Sequence, residues 1–205
     1  MTITTTPSVI SEEIHELCES ITSACKPRYV PVRPVQDAIL NDCFHNVERQ
    51  VEAHRGEIVY GWAVWCWISV MVEAEFHAVW KSPNGELIDV TPKQHGEKEI
   101  LFLEDTEARY EGRAPDNKRL PLREDPLIVD FIALTRLKNI TLENARRPGT
   151  LEVEMDISWV AKVEEARGVL IELINRRGKR RTQCPCGSKK RYRNCHETIV
   201  KNLLA

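Results

Sequence analysis

Residues 75–92 read EFHAVWKSPNGELIDVTP, and this stretch decides the fold. Two arms rich in aromatic and β-branched residues flank Pro83-Asn84-Gly85, a turn signal that returns the chain as the second strand of an antiparallel hairpin. His77 and Asp89 are equally spaced about Pro83, so a loop centred there sets them opposite each other. A bulge at Gly85 shifts them by about one residue and keeps them within side-chain reach. An imidazole beside a carboxylate is thus the first chemistry the sequence predicts.

Upstream of the hairpin, Glu57 to Trp67 and Val70 to Trp80 are apolar runs of strand character. Ile58 to Val72 is too short to cross a bilayer, which takes about 20 residues. Lys26 to Pro34 is punctuated by proline and must be extended or turning. A helix is expected from about Val35 to Arg55, ending near Gly56. Asn41-Asp42 can also cap a fresh start, which would place its first residue at Cys43. Ser11 followed by Glu12, Glu13, Ile14 and Leu17 marks an N-terminal amphipathic helix, without the pattern of a secretory signal. Downstream, Glu86 to Val90 and Ile100 to Leu103 read as strands and Glu107 to Pro126 as polar loop. Leu127 to Asn144 and Asp156 to Arg176 have helical periodicity. The fold class expected is α+β, a helix plus antiparallel sheet, with a C-terminal helix leading to a small metal knuckle. The domains expected are a body at 1–155, a basic helix and linker at 156–181 and the knuckle at 182–205.

The 205 residues are 42% hydrophobic and 29% charged, the composition of an ordinary globular chain expected in the cytoplasm. Charge is distributed unevenly. Between Asn175 and His196 lie nine Lys and Arg and no acidic residue, so the remainder holds 20 basic against 31 acidic side chains, a net of −11. A basic arm on an acidic body points to a polyanion or an acidic protein surface as partner.

Seven cysteines, an odd number with no export signal, argue against a disulfide framework. Cys18, Cys25, Cys43 and Cys66 are scattered. Cys184, Cys186 and Cys195 crowd beside His196 in CPCGSKKRYRNCH (184–196). Three thiolates and one imidazole form the ligand set of structural zinc. This segment resembles the SEC-C motif, a zinc knuckle appended to many bacterial proteins, in Cys184, Pro185, Cys186, Gly187, Ser188, the basic run, Tyr192 and the Cys195-His196 pair. It departs at Lys189, where the motif usually has a second glycine. The resemblance implies docking onto a protein or ribosomal partner and does not imply catalysis.

Cys43, after Asn41-Asp42, sits where a helix N-terminus would favour its thiolate. The order Cys43, His77, Asp89, running from helix to hairpin, resembles the papain-like superfamily and within it the transglutaminase-like branch, over about residues 41–92. The resemblance implies Cys43 as nucleophile, His77 as general base and Asp89 as the group orienting the ring, with the Cys43 N–H and Gln36 as candidates to serve an oxyanion. Trp62, Trp65 and Trp67 are candidate cleft walls, and Glu75 shares a strand face with His77. His45, His54 and His95 have no assigned role. The expected function is a thiol-dependent amide hydrolase or acyl-transferase acting on a protein or peptide substrate and targeted by the knuckle, with no membrane partner. The alternative is a non-catalytic adaptor that tethers a binding domain to a protein complex, ribosome or nucleic acid.

Overall fold

The computed structural model describes residues 4–147, 150 and 152–205. In chain order the elements are α1 (Glu12–Ile21), β1 (Arg28–Pro31), α2 (Cys43–His54), β2 (Glu57–Trp67), β3 (Met71–Lys81), β4 (Leu87–Ile88), β5 (Glu99–Glu104) and β6 (Lys118–Pro121). They are followed by α3 (Pro126–Ala145), α4 (Ile157–Asn175), a 3-10 turn at Tyr192–Asn194 and α5 (His196–Leu204). The architecture is α+β, as the periodicities predict. It divides into two compact units: residues 4–68 with 72–120, and residues 69–71 with 121–205. The units part near residue 121, whereas the sequence reading divides the chain at 155 and 181.

The first unit is built on a sheet of order β1-β5-β2-β3-β4, with β6 also pairing β3. The observed pairings of β1 with β5, β2 with β5 and β3 with β4 are antiparallel. Past the ends of its outer strands the sheet curls back on itself. Val32, just beyond β1, bridges Asp89, just beyond β4. The Asp89 N–H donates to the Pro31 carbonyl and its own carbonyl accepts from the Arg33 N–H, both at 2.9 Å. The edges are therefore paired rather than left open. Alternation along the strands sorts their side chains onto two faces. Val30, Val32, Val59, Ala63, Val79, Leu87, Ile100 and Phe102 fill one core cluster. Val47 of α2 packs with Ala78, Ile88 and Val90 in the other. Where β2 meets β5, Gly61 leaves no room for a side chain: a Cβ there would lie 2.2 Å from the Leu103 carbonyl oxygen.

The structure decides between some of these expectations and corrects others. The extended stretch Lys26–Pro34 contains a true strand, β1, whose four residues match β5. The second helix begins at Cys43, because Asn41 takes a left-handed φ of 62° that a helix cannot continue through. The hairpin is centred on Asn84, with Trp80 opposite Ile88 and Lys81 opposite Leu87. Its second arm pairs over only two residues before turning toward β1. The Glu107–Pro126 stretch contains the short strand β6 and ends at the first residue of α3.

In the second unit α3, α4 and α5 pack pairwise. The buried positions of α3 are Leu127, Ile128, Phe131, Leu134 and Thr135, and those of α4 are Val163, Ala166, Val169, Leu170, Leu173 and Ile174. Both sets follow the 3.6-residue stripe that a helix must bury. Asp125 and Asp156 cap the two helices by accepting from Leu127 N–H and Ser158 N–H. Arg167 spans the pair, bonding Thr135 Oγ1 at 3.1 Å with its guanidinium over the Phe131 ring. Among the described residues, no helix is long and apolar enough to cross a membrane.

Candidate functional sites

Residues 182–196 form a small loop held by its own backbone. The Cys184 N–H donates to the Lys190 carbonyl, Tyr192 N–H to Thr182 and Cys195 N–H to Tyr192. Two residues between the first cysteines and the returning arm have left-handed φ, Gly187 at 79° and Lys189 at 61°. The departure from the motif at Lys189 therefore keeps the backbone shape that a glycine would adopt without strain. Cys195 and His196 return at the start of α5, where unpaired N–H groups favour negative charge.

These turns bring the ligand atoms of Cys184, Cys186, Cys195 and His196 within 4.8 Å of one another. Cys184 Sγ lies 3.2 Å and Cys195 Sγ 3.4 Å from His196 Nδ1, and Cys186 Sγ lies 3.5 Å from Cys195 Sγ. A zinc tetrahedron with arms of about 2.0–2.3 Å has edges of about 3.3–3.8 Å, so the donor type fits and these three separations lie close to such edges. The Ser188 hydroxyl, 3.2 Å from Cys186 Sγ, leads the interactions that lower this thiol to about 6. Residues 180–198 match the SEC-C motif. The Cys3His cluster of this SEC-C knuckle is compatible with a structural zinc ion. No curated protein and no solved structure matches the chain.

The knuckle is set into the helices of its own unit. Tyr192 is fully buried, its hydroxyl 3.5 Å from Asp130 of α3, and burial raises its pKa strongly. His196 Nε2 faces Glu165 of α4 at 3.4 Å. Buried Glu197 pairs with Arg180 and, at 3.2 Å, with Lys201. The basic residues Arg176, Arg177, Lys179, Arg180, Arg181, Lys189, Lys190, Arg191 and Arg193 are all exposed. Sequence reading placed the four ligands but missed α5, a nine-residue helix whose start is masked by the Cys-His pair.

The sheet unit holds a second cluster, built on a buried imidazole and carboxylate. His77 comes from β3, Asp89 from the residue that closes the sheet, and Cys43 from the first turn of α2. His77 Nε2 lies 2.9 Å from Asp89 Oδ2, with both side chains buried. The other carboxylate oxygen accepts from the Thr91 N–H at 2.9 Å. Thr91 Oγ1 in turn accepts from Asn46 Nδ2 of α2 at 3.2 Å, so helix and carboxylate belong to one network. Burial and the Lys93 ammonium press the His77 pKa down. The negative charges of Cys43 and Asp89, with the Asp89 hydrogen bond, outweigh them and raise it to about 9. Burial opposes ionisation of Asp89, yet His77 and Lys93 hold its pKa below the usual value. Cys43 thus acts on His77 through charge; among the described residues no hydrogen bond joins its sulfur to the ring. With Nε2 committed to the carboxylate, Nδ1 is the nitrogen left for proton chemistry.

An aromatic layer surrounds the start of α2. Phe44 stacks on Tyr110 at 3.8 Å and tilts against Phe76 at 5.4 Å, while Phe76 also meets Trp62 at 5.4 Å. Tyr60 joins this layer, its pKa raised by burial first and by the neighbouring charges of Glu48 and Cys43. Trp62 donates to Asp105 Oδ2 at 3.0 Å while its ring meets Phe76. Trp65 packs on the opposite core and donates to Glu75 at 2.8 Å, which commits both elsewhere. Trp67 is buried and Gln36 exposed. His45 bonds Asp42 at 2.6 Å. Phe44, Asn46, Tyr60, Phe76, Lys93 and Tyr110 were not foreseen. Only Phe44 and Phe76 carried a signal, as chain neighbours of Cys43 and His77.

Proposed function

We propose that the sheet unit is a thiol-dependent amide hydrolase or acyl-transferase, papain-like or transglutaminase-like in arrangement, that works in the cytoplasm and is brought to its substrate by the SEC-C knuckle. The observation that carries this reading is the buried His77–Asp89 pair, with no hydrogen bond to Nδ1 among the described residues and Cys43 charge-coupled to the ring. Cys43 would attack the substrate carbonyl as thiolate while His77 holds the thiol proton and then passes it to the leaving amine. Asp89 would fix the ring and stabilise its cationic form. The N–H groups opening α2 would face the oxyanion. A water or an amine would then release the acyl group, and a protein or peptide is the substrate that best suits a docking appendage.

The test is selective alkylation of Cys43 by iodoacetamide near neutral pH, followed by peptide mapping. Cys43 should react faster than Cys18, which burial pushes up to about 11, and Cys66, which burial also raises. Reaction of Cys43 no faster than that of a thiol in an unfolded peptide would overturn the enzyme reading. The absence of a direct sulfur–ring bond among the described residues favours the adaptor as the second reading. In either case the exposed basic segment would recruit a polyanion or an acidic protein. Steep loss of affinity with salt is expected for nucleic acid, and salt-independent binding for shape-specific protein docking.

A further inference from the structure

The cluster contains a fourth charged member. Lys93 lies in the loop after Thr91-Pro92, its side chain only 10% exposed, with Nζ 2.5 Å from Asp89 Oδ2 and 3.3 Å from His77 Nε2. Two donors thus converge on one carboxylate oxygen, and the ammonium also lies within reach of the imidazole nitrogen bound there. The charged or titratable groups that bear on the ring are Cys43 from α2 and Asp89 and Lys93 from the segment after β4.

Charge balance gives this contact its meaning. A buried carboxylate needs a counter-charge. With His77 as its sole partner, Asp89 would draw the ring into the imidazolium form and hold it there. Lys93 shares that positive charge and weakens the ring's hold on its proton. The remaining thiol–imidazole couple is then neutral overall whether its proton sits on sulfur or on nitrogen, so the proton can move between them without leaving an uncompensated buried charge.

We propose that Lys93 is a positioning residue of this site: it serves as the counter-ion of Asp89 and so frees His77 to exchange its proton with Cys43. This rests on the thiol-chemistry reading but makes its own claim about the ring. Lys93 also limits which ring nitrogen carries the proton. While the ammonium stays on Oδ2, the Nε2–H donates to the carboxylate and Nδ1 stays basic. A lysine shifted onto Nε2 would leave the proton on Nδ1 and block the base.

The experiment is a pH titration of the His77 ring by long-range 1H–15N NMR on the full zinc-loaded chain, comparing wild type with Lys93→Met and Lys93→Arg. The His77 midpoint should rise by about one unit or more in Lys93→Met, the scale of losing a like charge at this range. Lys93→Arg, which keeps the charge, should stay within a few tenths of wild type. The rise should persist in a Cys43→Ser background. A midpoint unchanged in a folded Lys93→Met protein, or moved equally by Lys93→Arg, overturns the proposal. Should Lys93→Met fail to fold, Lys93→Gln removes the charge while keeping a donor for Asp89 and reads the same shift. These midpoints are independent of alkylation, so an inert Cys43 would sink the enzyme reading and leave the Lys93 result standing.

Discussion

The chain uses cysteine and histidine twice, in two units, with opposite arrangements. In the knuckle, three sulfurs and one imidazole nitrogen from thirteen consecutive residues converge near the surface, with Cys186 exposed. In the sheet unit, one sulfur and one imidazole come from distant elements and are buried with a carboxylate and an ammonium. Three thiolates demand a cation as concentrated as a metal ion. A lone buried imidazole is matched instead by a carboxylate and an ammonium. The number of thiols gathered about the imidazole therefore separates the metal-type site from the buried ion-pair site.

The largest effect that could break this contrast is metal removal. Structural zinc contributes about 10–16 kcal/mol of apparent binding energy in zinc-finger peptides. Tyr192, Cys184 and Val200 are buried in the helical unit. Chelation, or Cys184→Ser, should therefore cost helical circular dichroism from α3, α4 and α5, and not merely loosen a loop. Retention of full helical signal and of its thermal transition without metal would show the knuckle to be an accessory. The sheet unit should keep its Cys43 reactivity throughout.

Next in size is His77→Ala. On the proposed reading, loss of the imidazole should slow Cys43 alkylation at pH 6 by about tenfold or more, because the ring no longer takes up the thiol proton. The same substitution should leave zinc content, read by a chromogenic chelator, unchanged. A rate insensitive to His77 would dissolve the distinction between a paired thiol and an ordinary buried one.

Smaller again is a pH effect on stability. His77 titrates at about 9 when folded, above the ordinary value of about 6.5. Protonated His77 therefore stabilises the fold fully below about pH 6.5, and that contribution disappears as pH rises through about 9, an effect of at most about 3 kcal/mol. Denaturation midpoints of the sheet unit should fall across this window, and His77→Gln should flatten the fall. Cys43→Ser should shrink it, because the thiolate supports the raised value.

The smallest effect belongs to Lys189→Gly. Relieving the left-handed backbone at Lys189 should stabilise the metal-loaded knuckle by about 1 kcal/mol, seen as a modest rise in Tm. A decrease would mean that the lysine side chain contributes more than its backbone costs.

The two sites also differ in how far the sequence alone reveals them. The knuckle is legible because its four ligands are neighbours in the chain and its turns need only Pro185 and Gly187. His77 and Asp89 are legible as a pair because one hairpin carries both. The register moved from Pro83 to Asn84, yet alternation still kept both side chains within reach. Lys93 was not legible. Its contact with Asp89 depends on a loop path set by the pairing of residue 89 with Val32, and a lysine four residues beyond an aspartate means little outside a helix. β1 and β6 were hidden for a related reason: four-residue strands flanked by proline owe their existence to the partner they find. The grouping of α3 with the knuckle rests on side chains such as Asp130 and Tyr192 that no local pattern connects.

The seam where Val32 meets Asp89 has a consequence for the order of events in folding. The backbone that carries the carboxylate is itself the last rung of the curled sheet, formed between segments far apart in sequence. Non-local pairings of this kind close late, after the loop entropy between them has been overcome. A half-folded chain would hold Cys43 and His77 but lack the group that orients the ring. If the proposed thiol chemistry operates, it would then be withheld from incomplete molecules, so that a nascent or damaged chain would not attack its neighbours.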